Sequence, residues 1–236
     1  SKNIAALAPS VTGGFEGVVA TSSYPGDLNV AVGPFEVIST GNRSLAFTWK
    51  DGSNRSTVST NSFFGASFSE GAIFDPRAYY DPLHRRFLVA GVNLTSSTSY
   101  LYVAVSKTNS VTNGWSVYKF DMPNITGTNT QTWADFPTLG ASGDKLVLSC
   151  NMFTFADNTY QTTTILALDI GVMLNGQPVG GGTYSSPIFG SVVPACNLTN
   201  DNNIYLLRAS SGGSSVVNYW VLTGTLVPFA PNMTNV

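Results

Sequence analysis

The apolar and polar positions along the chain never settle into a helical rhythm. No long window places apolar residues at i, i+3, i+4 and i+7. What recurs is short runs rich in Val, Ile, Tyr, Phe and Thr, bounded by Gly, Asn, Asp, Ser and Pro, which is the pattern of strands and turns. The runs fall into groups of four. The first group is LNVAVGP, FEVIST, SLAFTWK and RSTVST, within 28–60. The second, within 73–121, is IFDPRAYYD, RRFLVAGVN, SYLYVAVS and GWSVYKFD. The third, within 133–188, is ADFPTLGAS, DKLVLSCNMF, TTTILALDI and a weak GGTYSSP. The fourth, within 191–230, is SVVPACN, NIYLLRAS, SVVNYWVL and TLVPFAP. A four-stranded unit repeating every ~45–60 residues predicts the blades of a β-propeller. The expectation is one all-β domain over 1–236, with about four recognisable blades and 1–27 as an N-terminal segment.

One stretch tests whether catalysis must be invoked. FDPRAYYDPLHRRFLVA (74–90) holds Asp75, Asp81, two arginines and His84, the chain's single histidine. Pro82 presets a turn conformation. The reading favoured by turn chemistry is therefore a blade hairpin: an inner strand, the turn DPLHRR, and a second strand.

Composition narrows the function. Hydrophobic residues make up 43% of the chain, enough for a substantial core, and charged residues only 10%. The net charge of -2 offers no footprint for nucleic acid. It gives no attraction to an anionic membrane either, and no apolar run approaches the ~18 residues of a span. So weakly charged a surface must be hydrated by Ser, Thr, Asn and Gly, by attached sugar, or be covered in an assembly. Six Asn-X-Ser/Thr sequons stand at Asn42, Asn54, Asn93, Asn124, Asn197 and Asn232. Together these features lead to the expectation of a secreted glycoprotein at the cell surface or outside the cell. Its partners would be its own copies or other extracellular subunits. Cys150 and Cys196 could pair in an oxidising compartment or remain two free thiols.

At this point several segments resemble a group of secreted β-propeller proteins, mostly of uncharacterised function, from bacteria and some microbial eukaryotes. They are GGFEGV (13–18), PGDLNVAVGP (25–34), the 74–90 stretch, LYVAVSKTNSVTNGWSVYKFD (101–121) and ADFPTLGASGDKLVLSCNMF (134–153). The resemblance implies a propeller fold and says little about activity. The opening PGDLN departs from that group's double-Pro form, which leaves the role of Asp27 open.

Candidate chemistry is sparse. Acid–base catalysis needs converging carboxyls, and inner strands of a propeller converge on one axis. The inner-strand positions carry Asp27, Asp75, Asp81 and Asp135, and of these Asp75 and Asp135 are the pair that could meet. The glutamates Glu16, Glu36 and Glu70 sit in no recognisable motif. There is no Gly-X-Ser-X-Gly elbow, no phosphate loop and no zinc spacing. The one stretch with oxygen ligands for a structural calcium is NLTNDNN (197–203), which reads equally as an Asn-rich turn. Trp133, beside the loop TNTQTW, is the tryptophan expected nearest a ligand. Two functions follow: a structural or interaction module of an extracellular, even filamentous, assembly, or a carbohydrate-binding or glycosidase-like propeller acting at its axial mouth through Asp75, Asp135 and Trp133.

Overall fold

In the computed structural model, which describes residues 13–19, 24–209, 216–226 and 232–235, the apolar runs form four antiparallel sheets of four strands. Blade 1 comprises β1 (Asn29–Val32), β2 (Glu36–Gly41), β3 (Ser44–Trp49) and β4 (Ser56–Ser59). Blade 2 comprises β5 (Ile73–Asp81), β6 (Arg86–Asn93), β7 (Tyr100–Ser106) and β8 (Trp115–Asp121). Blade 3 comprises β9 (Thr132–Ala141), β10 (Lys145–Thr154), β11 (Tyr160–Asp169) and β12 (Gly181–Ser186). Blade 4 comprises β13 (Val193–Pro194), β14 (Ile204–Ala209), β15 (Val217–Thr223) and β16 (Asn232–Asn235). Every sheet is a meander in chain order. The first strands lie side by side, with β5 against both β1 and β9, and β9 against β13. This is a β-propeller, incomplete as a ring.

Burial shows how the blades stack. In β6, Phe87 and Val89 face blade 1, while Leu88, Ala90 and Val92 face blade 3. In β10, Leu146 and Leu148 face blade 2, while Val147 faces blade 4. A strand covered on both faces reads as a continuous apolar run, hence FLVAGV and KLVLSC. The end blades alternate instead: β14 runs buried, exposed, buried, exposed from Ile204 to Leu207. The buried clusters join blade 1 to 2, 2 to 3 and 3 to 4, and none of these clusters joins 4 to 1.

Among the described residues two short α-helices interrupt the strand pattern. Helix α1 (Thr60–Phe64) is capped by the Ser59 side chain, which accepts from the N–H of Ser62, and ends at Gly65 with φ of 68°. Helix α2 (Ile170–Leu174) is capped by Asp169, which accepts from Val172. The last strand, β16, lies beyond the expected TLVPFAP run, of which 227–231 fall outside the described residues.

The histidine turn serves the stacking. Asp81 is fully buried, accepts from the N–H of Leu83 at 2.9 Å, and meets His84 Nδ1 at 2.6 Å. His84 Nε2 reaches the carbonyl of Gly143 in blade 3 at 3.2 Å. This contact staples two blades and occupies both ring nitrogens. The hydrogen bond to Asp81 raises the His84 pKa above the ordinary value, against the opposing effect of burial. A raised folded-state pKa stabilises the fold fully below ~6.5 and loses that stabilisation as pH rises through the folded value. The melting-temperature gap between wild type and His84→Gln should therefore be wide at pH 5.5 and narrow at pH 8.5. A gap that widens with pH would refute the staple.

Candidate active site

The inner strands of three blades each carry one aspartate at the same end: Asp27 just before β1, Asp75 in β5 and Asp135 in β9. Local backbone chemistry aims them. Proline has no N–H for a ladder, so Pro76 and Pro137 break pairing in their strands. The β5–β6 register shifts between Phe74 and Arg77, and the β9–β10 register shifts opposite 135–138. Such bulges re-aim side chains. Positive φ values mark the same places, at Asp27 (44°), Asp75 (50°) and Phe136 (50°). Aspartate tolerates that region, but for a bulky residue such as Phe136 it costs energy that the surroundings must hold.

The three carboxyls meet. Asp75 is central, in hydrogen-bonding contact with Asp27 and with Asp135. Burial, then repulsion by Asp135 and Asp27, pushes the Asp75 pKa up to about 7, against the nearby Arg77 guanidinium. Burial also raises Asp135, partly offset by the backbone N–H of Phe136 and by Asp75. Carboxyls in contact cannot all ionise near neutrality, so the cluster keeps a proton. Asn42 organises the group: its Nδ2 donates to Asp27 Oδ2 at 3.1 Å and its Oδ1 accepts from the N–H of Asp75 at 3.4 Å. Asn29 Oδ1 accepts from the N–H of Ala78 at 2.8 Å, tying β1 to β5.

Next to the carboxyls opens an axial cavity of about 580 Å³. Its walls include Asn29 and Val30, Arg77 and Tyr79, Phe136 and Thr138, and Val193 and Cys196 from the fourth blade. Arg77 lies over the Phe136 ring at 5.1 Å, which fixes a cation at the rim.

The structure brings Asp75 and Asp135 together and adds Asp27 between two blades. The signal for Asp27 was present as one aspartate per blade, in GDLN, FDPR and ADFP, at matching positions. Trp133 stays with the third blade: its ring stacks on Phe153 at 5.3 Å and its Nε1 donates to Asn158 Oδ1 at 3.1 Å. Glu70 is engaged with Lys119 at 2.6 Å and Tyr102 at 3.0 Å.

The remaining candidate residues lie elsewhere in the blades. Cys150 and Cys196 are free thiols, because Cys150 is buried in the core between blades 2 and 3 while Cys196 lines the axial cavity. Asn93 is fully buried, accepting from the N–H of Tyr100 and donating to the carbonyl of Glu70, so it leaves no room for a glycan. Asn54 and Asn124 are exposed, whereas Asn42 and Asn197 spend their amides within the protein. The side chain of Asn232 lies outside the described residues. In NLTNDNN, Asn197 donates to the carbonyls of Asp201 and Asn203, and Asp201 Oδ1 accepts from the N–H of Asn203. These bonds close the turn on itself. Among the described residues no group of three or more His, Cys, Asp or Glu is arranged to hold a metal. Among them, too, no helix is long and apolar enough to cross a membrane.

The fold thus defines a β-propeller whose inner strands bring three carboxyls together beside the axial cavity. No protein-family model and no curated protein matches the sequence. Among solved structures, the chain is similar to the GH43 endo-arabinanase from Bacillus licheniformis, with 16% identity over 88% of this chain and 71% of that one, at a TM-score of 0.46. It is also similar to the α-L-arabinanase of Penicillium chrysogenum complexed with arabinobiose, with 13% identity over 88% of this chain and 62% of that one, at a TM-score of 0.44.

Proposed function

We propose that the protein is a carbohydrate-active propeller that hydrolyses a glycosidic bond at its axial mouth. The observation that carries this reading is the three-blade carboxyl cluster that retains a proton near neutral pH. Glycoside hydrolysis needs one carboxylic acid to protonate the leaving oxygen and one carboxylate to activate water. As the C–O bond breaks, its electron pair goes to the leaving oxygen, which takes the acid's proton. Water adds to the sugar carbon and gives its own proton to the carboxylate. Asp75 is the proton store, and Asp27 and Asp135 flank it as the groups that face substrate. Arg77 and Phe136 supply a donor and an apolar face at the rim. The test is reducing-sugar release from a panel of soluble polysaccharides and aryl glycosides. Hydrolysis of at least one substrate is expected, and its absence across the panel removes the reading.

A second reading has its own observation. On blade 4, Val193, Tyr205, Leu207, Val217 and Tyr219 are exposed on one sheet face, and on blade 1 Leu28, Val30 and Val32 are exposed. Apolar sheet faces of this kind mark interaction sites. A head-to-tail contact of blade 4 on blade 1 of the next copy would build a filament, the structural role expected of an extracellular, N-glycosylated subunit. Exposed Asn54 and Asn124 support the glycosylated, extracellular part of that reading.

A further inference from the structure

At the end of blade 1 farthest from Asp27, the turn between β1 and β2 and the turn after β3 enclose a groove. We propose that this groove, centred on Trp49, binds a neutral oligosaccharide chain. It shares no residue with the carboxyl mouth and stands whether or not the mouth is catalytic.

Two hollows, of about 500 and about 450 Å³, meet here and share Glu36, Trp49 and Thr112. Each is the size of a small-molecule site. Trp49 borders both, so the indole stands where the two hollows meet. That shape suits an extended ligand crossing the ring more than a compact one. Phe35 is 67% exposed and Trp49 48% exposed, and both line the first hollow. A single exposed aromatic is ordinary, but two walling one concavity are not.

Polar groups complete the match. Glu36 is 4% exposed and held by the Ser110 hydroxyl at 2.6 Å and the N–H of Val111 at 3.2 Å. Asp51, Lys50, Ser110 and Thr112 line the first hollow. Glu36 and Asp51 stand against Lys50, which disfavours an anionic sugar, and the Glu36 carboxylate is already engaged by Ser110 and Val111, which leaves little to hold a cation. A sugar presents C–H faces to aromatic rings and hydroxyl edges to carboxylates, amines and hydroxyls, and this groove offers all of these. The walls are preorganised, since Lys50 donates to the carbonyl of Phe35 at 3.0 Å, Trp49 to that of Ser53 at 3.0 Å, and Gly52 to that of Trp49 at 2.9 Å. Groups fixed before binding lose little freedom on binding.

The experiment uses protein made in a host that adds no N-glycan, so that Asn54 at the edge of the second hollow carries no sugar. Native electrophoresis is run through gels containing arabinan, xylan, β-1,3-glucan or galactan. Wild type should be retarded by at least one. Trp49→Ala and Phe35→Ala should each weaken binding about five- to ten-fold, the size of one aromatic contact, with melting temperature unchanged. Trp49→Phe should recover part of the loss, and Trp49→Ala should weaken binding to the same extent in an Asp135→Asn background. No retardation in any of the four gels overturns the proposal. So does Trp49→Ala binding like wild type, or binding lost in Asp135→Asn while Trp49→Ala retains it, which would assign the sugar to the mouth.

Discussion

Asp135→Asn and Asp75→Asn should each lower glycoside hydrolysis by about 10²–10⁴-fold, the usual contribution of a positioned acid or base. The two variants should fail differently. Asp135→Asn removes the carboxyl proposed to face substrate and leaves Asp75 in place. Asp75→Asn removes the central proton store whose pKa stands at about 7. Wild-type activity should fall as pH rises past about 7, because the cluster then loses the proton it must donate. Asp75→Asn should leave only a trace of activity, without that limb. A pH–rate profile and initial rates on the best substrate decide the matter, and an Asn variant within two-fold of wild type would exclude its carboxyl from the reaction.

The same substitution carries a stability signature. Asp75 binds its proton more tightly folded than unfolded, so its contribution is favourable below the ordinary value of 3.8 and is lost as pH rises to about 7. Asparagine cannot ionise. Asp75→Asn should therefore melt higher than wild type at pH 8 and nearly level with it at pH 4. A site that gains stability when its activity is removed is one whose strain serves function.

Phe87→Ala should cost about 3–5 kcal/mol, the range for deleting a fully enclosed ring. The ring meets Tyr80 edge-on at 4.9 Å and lies under Gly33 so closely that a Cβ there would sit 2.3 Å from it. It is a central member of the cluster joining blades 1 and 2, with Ile38, Leu45 and Val89. A domain's whole stability is ~5–15 kcal/mol. Because stacked units are stabilised by their neighbours, the loss should fall first on blade 1. Urea denaturation should show a lower midpoint, and hydrogen exchange should accelerate across residues 36–49 before the rest. Val117→Ala, on the half-exposed outer strand β8, should shift stability by no more than about 0.5 kcal/mol. Equal midpoints for Phe87→Ala and wild type would contradict the stacked-blade account.

Much of the architecture was legible in local pattern. Strand runs, turn residues and the four-beat repeat are local properties, and each blade is a meander of chain neighbours. Even the two-sided burial of FLVAGV and KLVLSC is written in their unbroken apolarity. DPLHRR read correctly as a turn, because Pro82 and the aspartates dictate local geometry. Helices α1 and α2 went unseen, since five residues are too few for a 3.6-residue period to register. Their capping residues, Ser59 and Asp169, were the one trace they left.

What tertiary structure decided is everything that depends on which distant residues face one another. Asp27, Asp75 and Asp135 lie far apart in sequence, and only the convergence of three blades, two of whose inner strands are bulged at the aspartate, brings them together. For Cys150 and Cys196 the sequence left a bridge and two free thiols equally open, and packing sets one in the core between blades 2 and 3 and the other at the axial cavity. Asn93 carries a sequon that any reader would mark, and packing alone encloses it. Trp49 is one of four tryptophans in the sequence, and its exposure is a property of the neighbours that fail to cover it. Strand, turn and repeat follow from interactions between residues close in sequence. Burial, proton affinity and site geometry follow from interactions between residues far apart in it, and these exist only once the blades have stacked.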